Sequence, residues 1–189
     1  MKQNIEKVMD WVFIHEGGYA ERDVEPGGAV NMGISFNAFK DAWKRLKKPG
    51  TPTFEDLKAL KRGSATDSVD GDAEDIYYTW FFKPLEFEVL PSGVDYALLD
   101  FAVNSGVGGA IRCVKKKWKF PAVGKMDPKF LWALKSRDPV QTINDICDAR
   151  LDLMRGLKAW AKFEANWTKR VNKVRERALA MAKENAHDN

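Results

Sequence analysis

The segment His15-Glu16-Gly17-Gly18-Tyr19 sets a carboxylic acid where an amphipathic run meets two glycines. Glu25-Pro26-Gly27-Gly28 sets a second acid nine residues further on. Two carboxyl groups held apart across a short reversal are the equipment for cleaving a glycosidic bond. One protonates the leaving oxygen; the other, ionised, positions water or stabilises the oxocarbenium-like charge. Glu16 suits the first role and Glu25 the second. Asn31, in the returning segment Asn31-Met32-Gly33-Ile34-Ser35, offers an amide that could hold the attacking water, or that could instead satisfy nearby backbone as turn asparagines do. Tyr19 and Tyr96 have ring faces suited to pyranose stacking, and equally suited to core packing. Asn104 could bond an acetamido group or cap a helix.

Other chemistries lack their residues. With only His15 and His187, a histidine-based zinc site or a Ser-His triad is poorly supported. Cys113 and Cys147 are too far apart for metal-ligand spacing, and their neighbours Ile111, Val114 and Ile146 mark them as reduced, buried thiols. No metal and no cofactor are expected.

The elements that must position the two acids can be read from periodicity. Ile5, Val8, Met9, Val12 and Phe13 fall at helical spacing, predicting an amphipathic helix over 3–15 that Gly17 and Gly18 end. Glu16 would then sit at the negative end of the helix dipole, which together with apolar walls favours its protonated form. Residues 19–35 are short, turn-rich and alternating, and predict a small β-hairpin. A second helix is expected over about 36–47, a short one from the Thr53 cap to about Leu60, and a polar loop over 62–72. Helix signals return at 73–82 and stop at Pro84. The run 92–105 is apolar almost all round, which marks a buried central helix. Further helices are expected at about 109–119, 128–135, 139–155 and 160–185. The fold class is therefore mostly α: a helical bundle around a buried central helix, with a small β-hairpin near the N-terminus, the layout of a lysozyme.

At 189 residues, with 44% hydrophobic content, the chain is long enough for one compact domain or two small lobes. Its net charge of +4 is unevenly spread: residues 1–109 carry 12 Lys/Arg against 18 Asp/Glu, and residues 110–189 carry 19 against 9. The basic half points to an anionic partner, either wall polymer or membrane, with nucleic acid a remote alternative and not expected. A monomer is expected. No apolar signal segment and no run of about 18 apolar residues occurs, so synthesis in the cytoplasm is expected.

Taken together, His15-Glu16-Gly17-Gly18-Tyr19 and the block from Glu25 to Ser35 resemble glycoside hydrolase family 108, the N-acetylmuramidases common among phage and prophage endolysins. The likeness continues through Ile76-Tyr77-Tyr78-Thr79-Trp80, Asp100-Phe101-Ala102-Val103-Asn104-Ser105-Gly106, Val123-Gly124 and Asn166-Trp167-Thr168-Lys169-Arg170-Val171. It implies a lysozyme-like enzyme hydrolysing the β-1,4 bond between N-acetylmuramic acid and N-acetylglucosamine in peptidoglycan, with Glu16 as catalytic acid. Two positions depart from the family: it generally has Asp where this chain has Glu25, and often Thr where this chain has Val30. The resemblance divides the chain into a catalytic lobe, 1–89, and a predicted peptidoglycan-binding region, 90–189. A role in host-cell lysis, with passage to the wall by a holin-like pore or dedicated export, follows as an expectation. The alternatives are a lytic transglycosylase forming anhydromuramic ends, or a wall-binding protein with impaired catalysis. The sequence leaves inverting or retaining stereochemistry open.

Overall fold

The computed structural model describes residues 4–16, 19–21, 28–63 and 72–187. These form two compact units divided between Trp80 and Phe81. The first opens with helix α1 (Ile5–Glu16), on which Val8, Met9 and Val12 are fully buried. The i, i+4 spacing of Val8 and Val12 makes one inward stripe. Three short strands follow, β1 (Ala20–Glu21), β2 (Ala29–Asn31) and β3 (Ile34–Ser35), in one antiparallel sheet of order β1-β2-β3. The expected hairpin thus gains a third strand. Asn31 pairs with Ile34 across a two-residue turn, Met32-Gly33, whose φ angles are +49° and +74°. Positive φ at both central residues is the tight hairpin geometry whose twist matches that of the strands; glycine adopts it freely and methionine against preference.

Ser35 then caps α2 (Phe36–Arg45), accepting a hydrogen bond from the Ala38 amide. Thr53 and Asp56 form a reciprocal capping box at the start of α3 (Phe54–Lys58). Asp72 caps α4 (Ala73–Tyr77), which runs on through a wider, π-helical turn at Tyr78–Phe82 before Pro84.

The second unit is built around α5 (Val94–Ser105), where every residue from Val94 to Ala102 is buried, as an all-round apolar run requires. Helices α6 (Val107–Lys117), α8 (Pro139–Arg155) and α9 (Trp160–His187) pack on it, with α7 (Pro128–Ser136) against α8. Asp127 and Asp138 cap α7 and α8, each followed by a proline at the first helical position, where the missing N–H costs nothing. On α9 the inward stripe is Val171, Val174, Ala178 and Met181, while most of its first ten residues are exposed. Both cysteines are free thiols, and burial pushes that of Cys147 up to about 11. No helix among the described residues is long and apolar enough to cross a membrane.

Gly93, just before α5, has φ +85°, and a Cβ built there would lie 2.1 Å from the Ala178 carbonyl oxygen on α9. Backbone cannot yield as a side-chain tip can. Gly93→Ala is therefore expected to destabilise the protein by roughly 2–5 kcal/mol, adding left-handed strain to a steric clash. Urea unfolding followed by circular dichroism measures it.

Candidate active site

The first unit carries the N-terminal chemistry. Glu16 is the last residue of α1, the helix-end placement its sequence predicted. Glu25 lies outside the described residues. Three residues beyond Glu16, Tyr19 leads into β1; it is half-buried, with the Lys58 ammonium 5.6 Å from its ring centroid. Asn31 ends β2 and is only 4% exposed. Its amide donates to the carbonyls of Leu57, at 2.9 Å, and Lys58, at 3.4 Å. These are the last two residues of α3, so Asn31 caps that helix end, adding a donor to the Leu57 carbonyl, which also accepts from the Leu60 amide at 3.2 Å. Its NH2 group thus serves backbone, although backbone 26 residues away and not that of its own turn. The structure brings Tyr19 and Asn31 together around Lys58. Nothing in the local sequence of Lys58 marks it for this place.

Tyr96 and Asn104 both lie on α5, in the second unit. Tyr96 has no exposed surface, which corrects the reading of its ring as a sugar platform: a face that solvent cannot reach cannot stack on a pyranose. Burial, and then the Asp100 carboxylate, push its phenol above the ordinary value, so it stays protonated. Its neighbours in this pocket of charge are Asp100, Arg170 and Arg177. Asn104 is exposed one residue before the helix end, at Ser105.

A second constellation in the first unit was not visible in sequence. Arg62 donates through Nη2 to the Asp10 carboxylate on α1 and through Nε to Glu74 on α4, at 2.8 Å. Its guanidinium also lies 5.3 Å from the Phe13 ring centroid. The bond to Asp10 holds the guanidinium pKa up against desolvation. Phe13 meets Tyr77 edge-on at 5.1 Å, and the Tyr77 hydroxyl donates to the Met32 carbonyl, at 3.1 Å, in the β2–β3 turn. Position 62 reads as the start of a polar loop; the partners that give it meaning are 52 and 12 residues away. Among the described residues no group of three or more His, Cys, Asp or Glu side chains is placed to hold a metal ion.

The comparisons with known proteins bear on this unit directly. The model of the family described as glycosyl hydrolase 108 matches residues 9–106, a span that begins within α1 and ends just past α5. The chain belongs to glycosyl hydrolase family 108. It is accordingly a glycoside hydrolase, and family 108 implies peptidoglycan as the substrate polymer. A solved structure, that of SagA from Brucella abortus, is similar over 96% of this chain and 97% of its own, at 36% identity and a TM-score of 0.78. A comparison with curated proteins gives no significant match. The mostly α, lysozyme-like class of this family 108 chain stands, with the hairpin enlarged to three strands.

Proposed function

We propose that the chain is an N-acetylmuramidase, hydrolysing the β-1,4 bond between N-acetylmuramic acid and N-acetylglucosamine. Glu16 acts as general acid, and Glu25 is the second carboxylate. The observation that supports this most is the position of Glu16. It ends a helix anchored by Val8, Met9 and Val12, next to Gly17-Gly18, within the span that matches family 108. A rigid helix on one side fixes the acid, as protonation of a leaving oxygen demands. Mass spectrometry of digested peptidoglycan tests the bond and the chemistry together. Reducing N-acetylmuramic ends are expected. Anhydromuramic ends would make the enzyme a transglycosylase, and reducing N-acetylglucosamine ends would move the cut to the other linkage.

Residues 1–89 would form the catalytic lobe and 90–189 the part that engages the wall. The enzyme is made in the cytoplasm, reaches the wall through a holin-like pore or dedicated export, and serves host-cell lysis there. The exposed lysines of α9 support contact with an anionic wall or membrane surface. On α9, Lys169 and Lys173 are exposed, whereas Arg177 is half-buried beside Tyr96. Reversing Lys169 and Lys173 to Glu is therefore expected to weaken sedimentation with purified sacculi at least about fivefold at low salt, and far less at high salt. Unchanged sedimentation at both salts would end this assignment.

A further inference from the structure

We propose that Arg62 is a positioning residue for the acid at Glu16: it clamps the second half of α1 against α4 and so fixes where that helix ends. The proposal rests on the reading of Glu16 as general acid. Arg62 grips α1 at two points, the Asp10 carboxylate and the face of Phe13, three residues apart on the helix. A single contact would let a helix rotate about it. Two contacts nearly one turn apart fix both the rotation of the helix and its position along its axis. Phe13 lies three residues before Glu16, about 4.5 Å along the axis, so little helix intervenes between the clamp and the acid.

The clamp has a firm base. The Arg62 carbonyl accepts from the Glu74 amide at 3.0 Å, and the Lys61 carbonyl from the Ala73 amide at 2.9 Å, so the backbone carrying the guanidinium is held on the first turn of α4. The Glu74 side chain, only 4% exposed, accepts the Arg62 Nε–H. From α4 the same contacts run through Tyr77 to Phe13 and to the Met32 carbonyl. The helix bearing Glu16 and the turn following Asn31 are thereby referred to one element.

Stability does not explain the Asp10 arm. Asp10 and Arg62 side chains are 55% and 43% exposed, and ion pairs that open to water add little to folding. Placement explains it better, because a misplacement of 1 Å at a reacting group can cost about a hundredfold in rate. The distinction is measurable.

The test uses the full-length enzyme on solubilised peptidoglycan strands, with kcat, KM and melting temperature measured for Arg62→Met, Arg62→Lys, Asp10→Asn and Glu16→Gln. Positioning predicts that Arg62→Met lowers kcat about 10- to 100-fold while KM changes less than about threefold. Lysine keeps the charge beside Glu74 but has no fork to span two carboxylates. Arg62→Lys should therefore recover the melting temperature and leave kcat at least about fivefold down. If Arg62→Met fails to fold, Asp10→Asn carries the test, with a several-fold loss in kcat and an unchanged melting temperature. The proposal is overturned if folded Arg62→Met, or Asp10→Asn in its place, keeps the wild-type kcat, or if Arg62→Lys restores kcat together with stability. Glu16→Gln separates the two readings. If it is inactive while the clamp variants keep kcat, only the positioning role fails; if it is fully active, the acid assignment fails, whatever Arg62 does.

Discussion

Glu16→Gln is expected to fold like the wild type and to lose roughly 10²- to 10⁴-fold in turnover on peptidoglycan, the contribution a positioned general acid makes. Glutamine matches glutamate in shape and differs in having no proton to give. Folding should be untouched, because α1 is held by the buried stripe Val8, Met9 and Val12 and by the contacts of Asp10 and Phe13, all upstream of its last residue. Loss of activity without loss of stability would therefore report chemistry alone. Glu16→Asp provides a graded check: it keeps the acid but withdraws it by one methylene. It should fall between wild type and Glu16→Gln, since geometry controls proton transfer as strongly as acidity does. Release of reducing ends measures all three, with circular dichroism as the control for fold. Wild-type activity in Glu16→Gln would remove Glu16 from the mechanism and turn attention to other carboxylates of the same unit.

The parts of this molecule that could be read in advance are those governed by near neighbours. Helix α5 was legible because Val94, Ala97, Leu98, Leu99, Phe101 and Ala102 leave an apolar signature almost all round, and every position from Val94 to Ala102 is buried, the two aspartates Asp95 and Asp100 included. Helices α7 and α8 were expected at about 128–135 and 139–155, and in the structure Asp127-Pro128 and Asp138-Pro139 set their starts. The end of α1 was legible because Gly17-Gly18 follows it. What escaped depends on distant partners. Asn31 reads as a turn residue, but its amide reaches α3, and Arg62 reads as loop, but its fork joins α1 to α4. The third strand escaped because two-residue strands carry no periodicity; it exists through the Met32-Gly33 turn and its pairing with β2. Tyr96 could not be placed from its type, since an aromatic ring suits a cleft or a core equally, and the apolar context of α5 was the better guide.

The largest expected effect on stability belongs to Asp100, the carboxylate inside that apolar helix. Asp100 and Arg150 are each 1% exposed and bond at 2.5 Å, and Arg170 approaches the other carboxylate oxygen at 3.4 Å. Burial alone would raise the Asp100 pKa, but Arg150, and then Arg170, hold it below the ordinary carboxylate value. Asp100→Asn leaves the Arg150 guanidinium buried with no carboxylate beside it, which should cost about 3–5 kcal/mol and lower the melting temperature by roughly 10 °C. Arg170→Gln, at a side chain 26% exposed, should cost about 1 kcal/mol or less. Replacing both buried charges, Asp100→Leu with Arg150→Met, should recover much of the loss, because it removes the uncompensated ion as well as its partner. The pH dependence follows from the direction of the shift. A carboxylate with a folded pKa below its unfolded value of about 3.9 contributes its full stabilisation above that value and loses it as pH falls through the folded pKa. Wild type should therefore lose stability steeply below about pH 4, and Asp100→Asn should show a shallower acid limb. Urea unfolding at neutral and acid pH decides the matter: an Asp100→Asn protein as stable as wild type at neutral pH would show that the buried pair does not hold α5 to α8.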